Sequence, residues 1–207
     1  MGVSGWRRKW LRPSDHAQSY VKEQRLKDWI PCTIWITGLS ASGKTTLGRG
    51  LYDYFKSRGV ASVLLDGEEV RKRLDREYGY STKERVLVVE HIGNMAEKTV
   101  RQGELAIIST ISHVYSARLA VRKRLGNLFE IYLKCPPAVC AQRDTKGQYV
   151  RAMRGEVENF IGVTEPYQES PNPELVIDTS AVSAKDALAA AIKAVSSVIF
   201  GKAASRK

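Results

Sequence analysis

Five short apolar runs rich in β-branched residues recur along the chain. They are TIWIT (Thr33 to Thr37), ASVLL (Ala61 to Leu65), LAIISTI (Leu105 to Ile111), FEIYL (Phe129 to Leu133) and ELVI (Glu174 to Ile177). Each has the length and composition of a strand. Between them lie polar and apolar stretches of helical length, among them KTTLGRGLYDYFKSRG and KERVLVVEHIGNMAEKTVRQG, both ending at a glycine able to cap a helix. The alanine-rich run SAKDALAAAIKAVSSVIF has apolar spacing near 3.6 and predicts a closing helix. Strands alternating with helices imply βαβ units: an α/β fold in three layers, with a five-stranded parallel sheet and helices on both faces.

A chain of 207 residues suits one hydrophobic core. Residues 1–30 are basic and polar with aromatic patches and a turn signal at Pro13 and Ser14, so they read as a basic N-terminal arm. The domain is expected over 31–199, with a frayed tail over 200–207. A formal charge of +11 favours anionic partners without choosing among nucleotides, nucleic acid and acidic headgroups. Three cysteines, Cys32, Cys135 and Cys140, make neither an even disulfide set nor a metal pattern and read as buried thiols. No apolar run is long enough for a signal peptide or a membrane span, which makes the cytoplasm the expected location and a membrane partner unexpected.

The first strand runs directly into ITGLSASGKTT, where Gly38, four residues, Gly43, Lys44 and Thr45 have the spacing of a phosphate-cradling loop. Glycines at 38 and 43 let successive N–H groups turn inward on an anion, and the helix starting near Lys44 adds its positive end. Lys44 can reach β- and γ-phosphates, and the Thr45 hydroxyl suits Mg²⁺. Strand before and helix after supply the context the motif requires. The expected fold is therefore P-loop NTPase-like, binding ATP with Mg²⁺.

The acceptor has to be sought elsewhere. The third strand run ends without an acid, whereas the second is followed by Asp66 in VLLDGEEVR. An Asp at that strand end is the arrangement of small-molecule kinases, a nucleoside-kinase type of this fold, where it faces the acceptor hydroxyl; capping of the next helix is the alternative reading. Arg71, Lys72, Arg73 and Arg85 follow, and arginine suits bidentate contact with phosphate or sulfate oxygens. A second basic segment, QRDTKGQYVRAMRGE, carries Arg143, Lys146, Arg151 and Arg154 with glycines at 147 and 155, as expected of a lid. Its few aromatic residues, Tyr149 and the nearby Phe160, form no stacking series, so nucleic acid is not the expected partner.

These signatures together, GLSASGKTT, LLDGEEVRKRL, GYSTKER, RDTKGQYVRAMRGEVENFIGV and PYQESPNPELVIDT, make the chain resemble the adenylylsulfate kinases from about Ile34 to Asp178. Members phosphorylate the 3′-hydroxyl of adenosine 5′-phosphosulfate (APS) with ATP, giving 3′-phosphoadenosine 5′-phosphosulfate in sulfate activation. The resemblance implies ATP contacts from Gly38, Leu39, Ser40, Ala41, Ser42, Gly43, Lys44, Thr45, Thr46 and Arg143, with Lys44 also catalytic and Thr45 on the metal. It implies that Asp66 is the base or orienting group at the 3′-hydroxyl and that Arg71 and Arg85 hold the phosphosulfate. Tyr80, in place of a family phenylalanine, and Phe160 would flank the adenine of APS. Ile111 and Ser112 would line the acceptor site, the serine being the family's candidate phosphoserine, although direct in-line transfer needs no covalent step. Lys146 would sit on the lid, and a homodimer is implied.

Two segments depart from the family pattern. Where the family has an asparagine and then two arginines, this chain has Val88, Glu90 and His91; where it has proline, tyrosine and arginine, the chain has His113, Val114 and Tyr115. Both departures are expected on the acceptor side, with Glu90 placing an anion beside an anionic substrate and His91 or His113 able to donate compensating hydrogen bonds. The functional expectation is APS phosphorylation; a related kinase for another nucleotide-linked anion, or a nucleotide-binding protein without turnover, are the alternatives.

Overall fold

Every predicted strand forms, within two residues of its expected ends, because β-branched runs are most stable where both faces are covered. The computed structural model describes residues 29–200, so the basic arm up to residue 28 and the tail from 201 lie outside the described residues. The order is β1 (Thr33–Gly38), α1 (Lys44–Lys56), β2 (Ser62–Asp66), α2 (Gly67–Arg71), α3 (Thr82–Arg101), β3 (Leu105–Ser109), α4 (Tyr115–Leu125), β4 (Leu128–Lys134), α5 (Pro137–Arg143), α6 (Gln148–Met153), β5 (Leu175–Asp178) and α7 (Ala184–Ile199). All pairings are parallel, in the spatial order β2-β3-β1-β4-β5. β1 and β3 are buried throughout and β4 nearly so, while the edge strands β2 and β5 are only partly covered.

Alternation along β1 divides the core. Ile34 and Ile36 face Leu47, Leu51 and Phe55 of α1 and Ala191, Val195 and Ile199 of α7. Trp35 points the other way, toward Val88, Val89, Ile92 and Ala96 of α3 and Val121 of α4. Trp29 packs on the first layer, and the Ile30 amide donates to the Ile199 carbonyl at 2.8 Å. Parallel register brings the carboxyl ends of the central strands level: Asp66 pairs with Ser109, and Ser109 with Ile36. In an open α/β sheet the cleft at those ends, where the strand order reverses, is where ligands sit.

A buried ionic cluster fixes one wall of that cleft. Arg118 of α4 and Glu130 of β4 are almost wholly buried, with Nε 3.3 Å from Oε1. Arg118 also donates to the carbonyls of Ser112 and Gln168, while Glu130 accepts from Ser170 at 2.5 Å and Arg122 at 3.3 Å. The pair thereby ties the segment around Gln168 and the loop around Ser112 to the sheet. Removing one partner of a buried pair leaves a charge uncompensated, which costs about 3 to 5 kcal/mol. Arg118→Ala should lower the unfolding free energy in urea by about 3 kcal/mol; a loss below about 1 kcal/mol would show that the cluster does not hold this wall.

Candidate active site

Only glycine can stand at the end of β1. Gly38 has φ 143°, and a Cβ there would lie 2.6 Å from the Leu133 carbonyl oxygen of the neighbouring strand. The chain then turns through Ala41 (φ 57°) and Gly43 (φ 97°), and Gly43 opens α1 in the left-handed region with no side chain capping the helix. The first N–H groups of α1 are thus left for a ligand. Ser42 Oγ is buried and has no hydrogen-bond partner among the described residues. Lys44 Nζ, partly buried, donates to the Leu39 carbonyl at 2.6 Å. Burial pushes its pKa down to about 8, against the raising influence of Cys140, Asp66 and Glu68.

Two cavities open on this loop. One, of about 430 Å³, is lined by Ser42, Gly43 and Thr46 of the loop, by Arg143, and by Thr179 and Ser183 from the segment joining β5 to α7. The other, of about 540 Å³, is lined by Ser40, Asp66, Arg71, Tyr80, Arg85, Ile111, Ser112 and Phe160 among others. Both volumes suit a nucleotide-sized ligand. Ala41, Lys44 and Thr45 line both, so the cavities meet at the phosphate loop. At that junction Thr45 Oγ1 donates to Asp66 Oδ2 at 2.9 Å. Asp66 Oδ1 meanwhile accepts from the Glu68 amide at 3.0 Å, so the carboxylate caps α2 and still faces the junction. The capping reading of Asp66 is met by one oxygen, and the other stays at the junction of the two cavities.

The second cavity is cationic at one end. Arg71 donates to the carbonyls of Tyr78 and Gly79, and Arg85 to those of Tyr80 and Asn159. Their guanidinium carbons lie 4.8 and 5.1 Å from the centre of the exposed Tyr80 ring. Burial lowers the pKa of both, that of Arg85 to about 10, with Arg71 adding to the effect on Arg85. A pair of like charges held in a partly dry pocket calls for an anion. Phe160 is buried edge-on to Tyr149, ring centres 4.8 Å apart. Ser112 adopts φ 43° and its hydroxyl is committed to Thr110 Oγ1 at 2.5 Å, with Trp35 Nε1 bonded to the same Thr110 oxygen.

The family model described as adenylylsulphate kinase matches residues 30–178. The chain belongs to the adenylylsulfate kinase family. An adenylyl-sulfate kinase of Synechococcus sp. (strain JA-3-3Ab) is 38% identical over 156 residues, 75% of this chain and 89% of the relative. A Mycobacterium tuberculosis APS kinase, solved in complex with AMPPNP and APS, superposes with a TM-score of 0.76 at 28% identity, over 80% of this chain and 98% of that one. A hexameric APS kinase from Thiobacillus denitrificans gives a TM-score of 0.61 at 26% identity, over 89% of this chain and 32% of that one.

Against the family pattern, the two departures prove smaller than expected. Arg85, Val88, Val89 and Ile92 line the second cavity at i, i+3, i+4 and i+7 of α3, one helical face. Glu90 is two residues past Val88, about 200° around the helix, and is solvent-exposed. The expectation of an anion facing the substrate is therefore corrected. His91 is also turned away, its Nε2 2.8 Å from the Tyr78 hydroxyl. Of the second segment only His113 lines the cavity; Val114 and Tyr115 do not. Lys146 lines neither cavity and instead pairs with Glu68 at 2.6 Å. Of the expected ATP contacts, Gly38 and Leu39 line neither cavity, Leu39 packing in the core, and Ser40 lines only the second, while Thr179 and Ser183 of the first cavity were not anticipated. Their signal was positional: both follow the carboxyl end of a parallel strand.

The depressed pKa of Lys44 has a measurable consequence. A bound triphosphate would restore the ammonium's usual preference for its proton, so binding above pH 8 must take a proton up. Affinity for ATP should be full below pH about 8 and then fall, by up to about tenfold per pH unit. Calorimetric titrations in buffers of different ionisation heat read the proton uptake; affinity unchanged from pH 7 to 9.5 would contradict it.

Proposed function

We propose that this protein transfers the γ-phosphoryl group of ATP to the 3′-hydroxyl of APS, a step of sulfate assimilation. The observation that carries the reading is the meeting of two nucleotide-sized cavities at Lys44 and Thr45, with Asp66 on the acceptor side of the junction. ATP takes the first cavity, its polyphosphate on the loop N–H groups and Lys44, with Thr46 and Arg143 alongside. APS takes the second, its phosphosulfate between Arg71 and Arg85 and its base near Tyr80, Ile111 and Phe160. Lys146, paired with Glu68, joins the lid segment to the acceptor side.

Mg²⁺ fits this junction. The donors present are hard oxygens, the Thr45 hydroxyl and the Asp66 carboxylate, and phosphate oxygens and water complete such a site. Among the described residues no cluster of three or more His, Cys, Asp or Glu competes as a metal site. The ion supplies charge neutralisation on the phosphates when bound. Asp66 then orients the 3′-hydroxyl and accepts its proton. A bond forms between the 3′-oxygen and the γ-phosphorus as the bond to the bridging β–γ oxygen breaks, and ADP leaves with that electron pair. In-line transfer between the two cavities needs no covalent step, so Ser112, hydrogen-bonded to Thr110, lines the site. Lys44 offsets the charge gathered on the transferring group.

The buried free thiols of Cys32, Cys135 and Cys140 support a cytoplasmic setting. No helix among the described residues is long and apolar enough to cross a membrane. A homodimer is proposed from the family resemblance. The alternative acceptor, another nucleotide-linked anion, is favoured by one feature, the apolar Val88 in the acceptor wall.

A coupled assay of ADP release tests the reading. With ATP, Mg²⁺ and micromolar APS, release should saturate with APS; release only with a different acceptor would overturn it. Asp66→Asn should cut kcat about a hundredfold or more while ATP still binds; an unchanged kcat would leave Asp66 as a helix cap alone.

A further inference from the structure

The imidazole of His113 is a buried polar group with no use yet assigned. The residue is 4% exposed and lines the acceptor cavity. Its main chain is pinned on both sides: its carbonyl accepts from the Gln168 amide at 3.1 Å, and the preceding Ser112 carbonyl accepts from Arg118. The backbone there is held, and the ring hydrogen-bonds no described residue. Burial, then the nearby Arg85 and Arg118 guanidinium groups, push its pKa down to about 4, so the ring is neutral at ordinary pH and carries one N–H and one lone pair. Neither ring nitrogen is among the fully buried polar atoms left without a partner, so the ring keeps contact with the cavity it lines beside Val88, Val89 and Ile92. Its N–H is thus open to a ligand in that cavity, and the neighbouring Arg85, which lines the same cavity, marks an anionic group as the partner.

Resting on the proposed function, we infer that His113 is a specificity-determining residue of the acceptor site, donating a ring hydrogen bond to the anionic end of the acceptor nucleotide beside Arg85. It supplies a polar contact on the wall where Val88 supplies none. This contact binds the acceptor in the ground state and the transition state alike, so its loss acts on KM for the acceptor rather than on kcat.

The test uses three variants of the full chain, each checked by thermal melting, with APS as the acceptor. His113→Ala removes ring and donor, His113→Phe keeps an aromatic ring without a donor, and His113→Asn restores an N–H donor in a smaller side chain. Ala and Phe should each raise KM for APS about tenfold or more, the effect of one lost hydrogen bond to a charged group. KM for ATP and kcat should stay within about twofold, and Asn should recover much of the loss. If Phe matches wild type, or if KM for ATP rises in parallel with KM for APS, the ring serves packing and the inference is wrong while the kinase reading stands. If the wild-type protein itself releases no ADP with APS, the proposed function falls, and this inference with it.

Discussion

The close approach of β1 to β4 at Gly38 is the constraint on which the site depends. With the Leu133 carbonyl 2.6 Å from where a Cβ would be, the strand can end only in glycine and only by turning sharply. That turn sets the N-terminus of α1, leaves its first N–H groups without a side-chain cap, and places Lys44 and Thr45 where two cavities meet. Asp66 arrives at the same point by a separate route, since register carries the end of β2 level with Ser109 of β3. The reacting groups are therefore positioned by sheet geometry rather than by the loops that carry them.

Electrostatics divide the cleft into two unlike halves. The side proposed for ATP gathers its positive potential from backbone amides and one lysine whose proton is already loosened by burial. The side proposed for the acceptor uses guanidinium groups, held by carbonyls and spread over the Tyr80 ring, which keep their charge despite partial burial. Arg118 and Glu130 bind the Ser112 loop and the Gln168 segment to the sheet, which holds one wall of the second cavity.

Much of this was legible in the sequence, and the reasons differ by element. TIWIT and LAIIS announce strands because runs of β-branched residues are stable only in a covered sheet. GLSASGKTT is legible because no common alternative structure needs two glycines, a lysine and a threonine at that spacing between a strand and a helix. The lining of α3 was readable in principle from the 3.6-residue period, which separates Val88 from Glu90; matching by family position obscured it by treating neighbours in sequence as neighbours in space. Arg118 and Glu130 were out of reach, because ionisable residues in α4 and β4 read as surface until the fold shows that each is the other's partner. The Glu68 to Lys146 pair spans 78 positions and depends on where the segment around Lys146 lies, which no local pattern encodes.

The central claim is that ATP and acceptor meet at one junction and the phosphoryl group passes directly between them. The most direct measurement is the stereochemical course of transfer from ATP made chiral at the γ-phosphorus with oxygen isotopes. A single in-line displacement between the two cavities predicts inversion at phosphorus. Retention would require two displacements through an enzyme-bound phosphate, which would contradict direct passage at the shared junction.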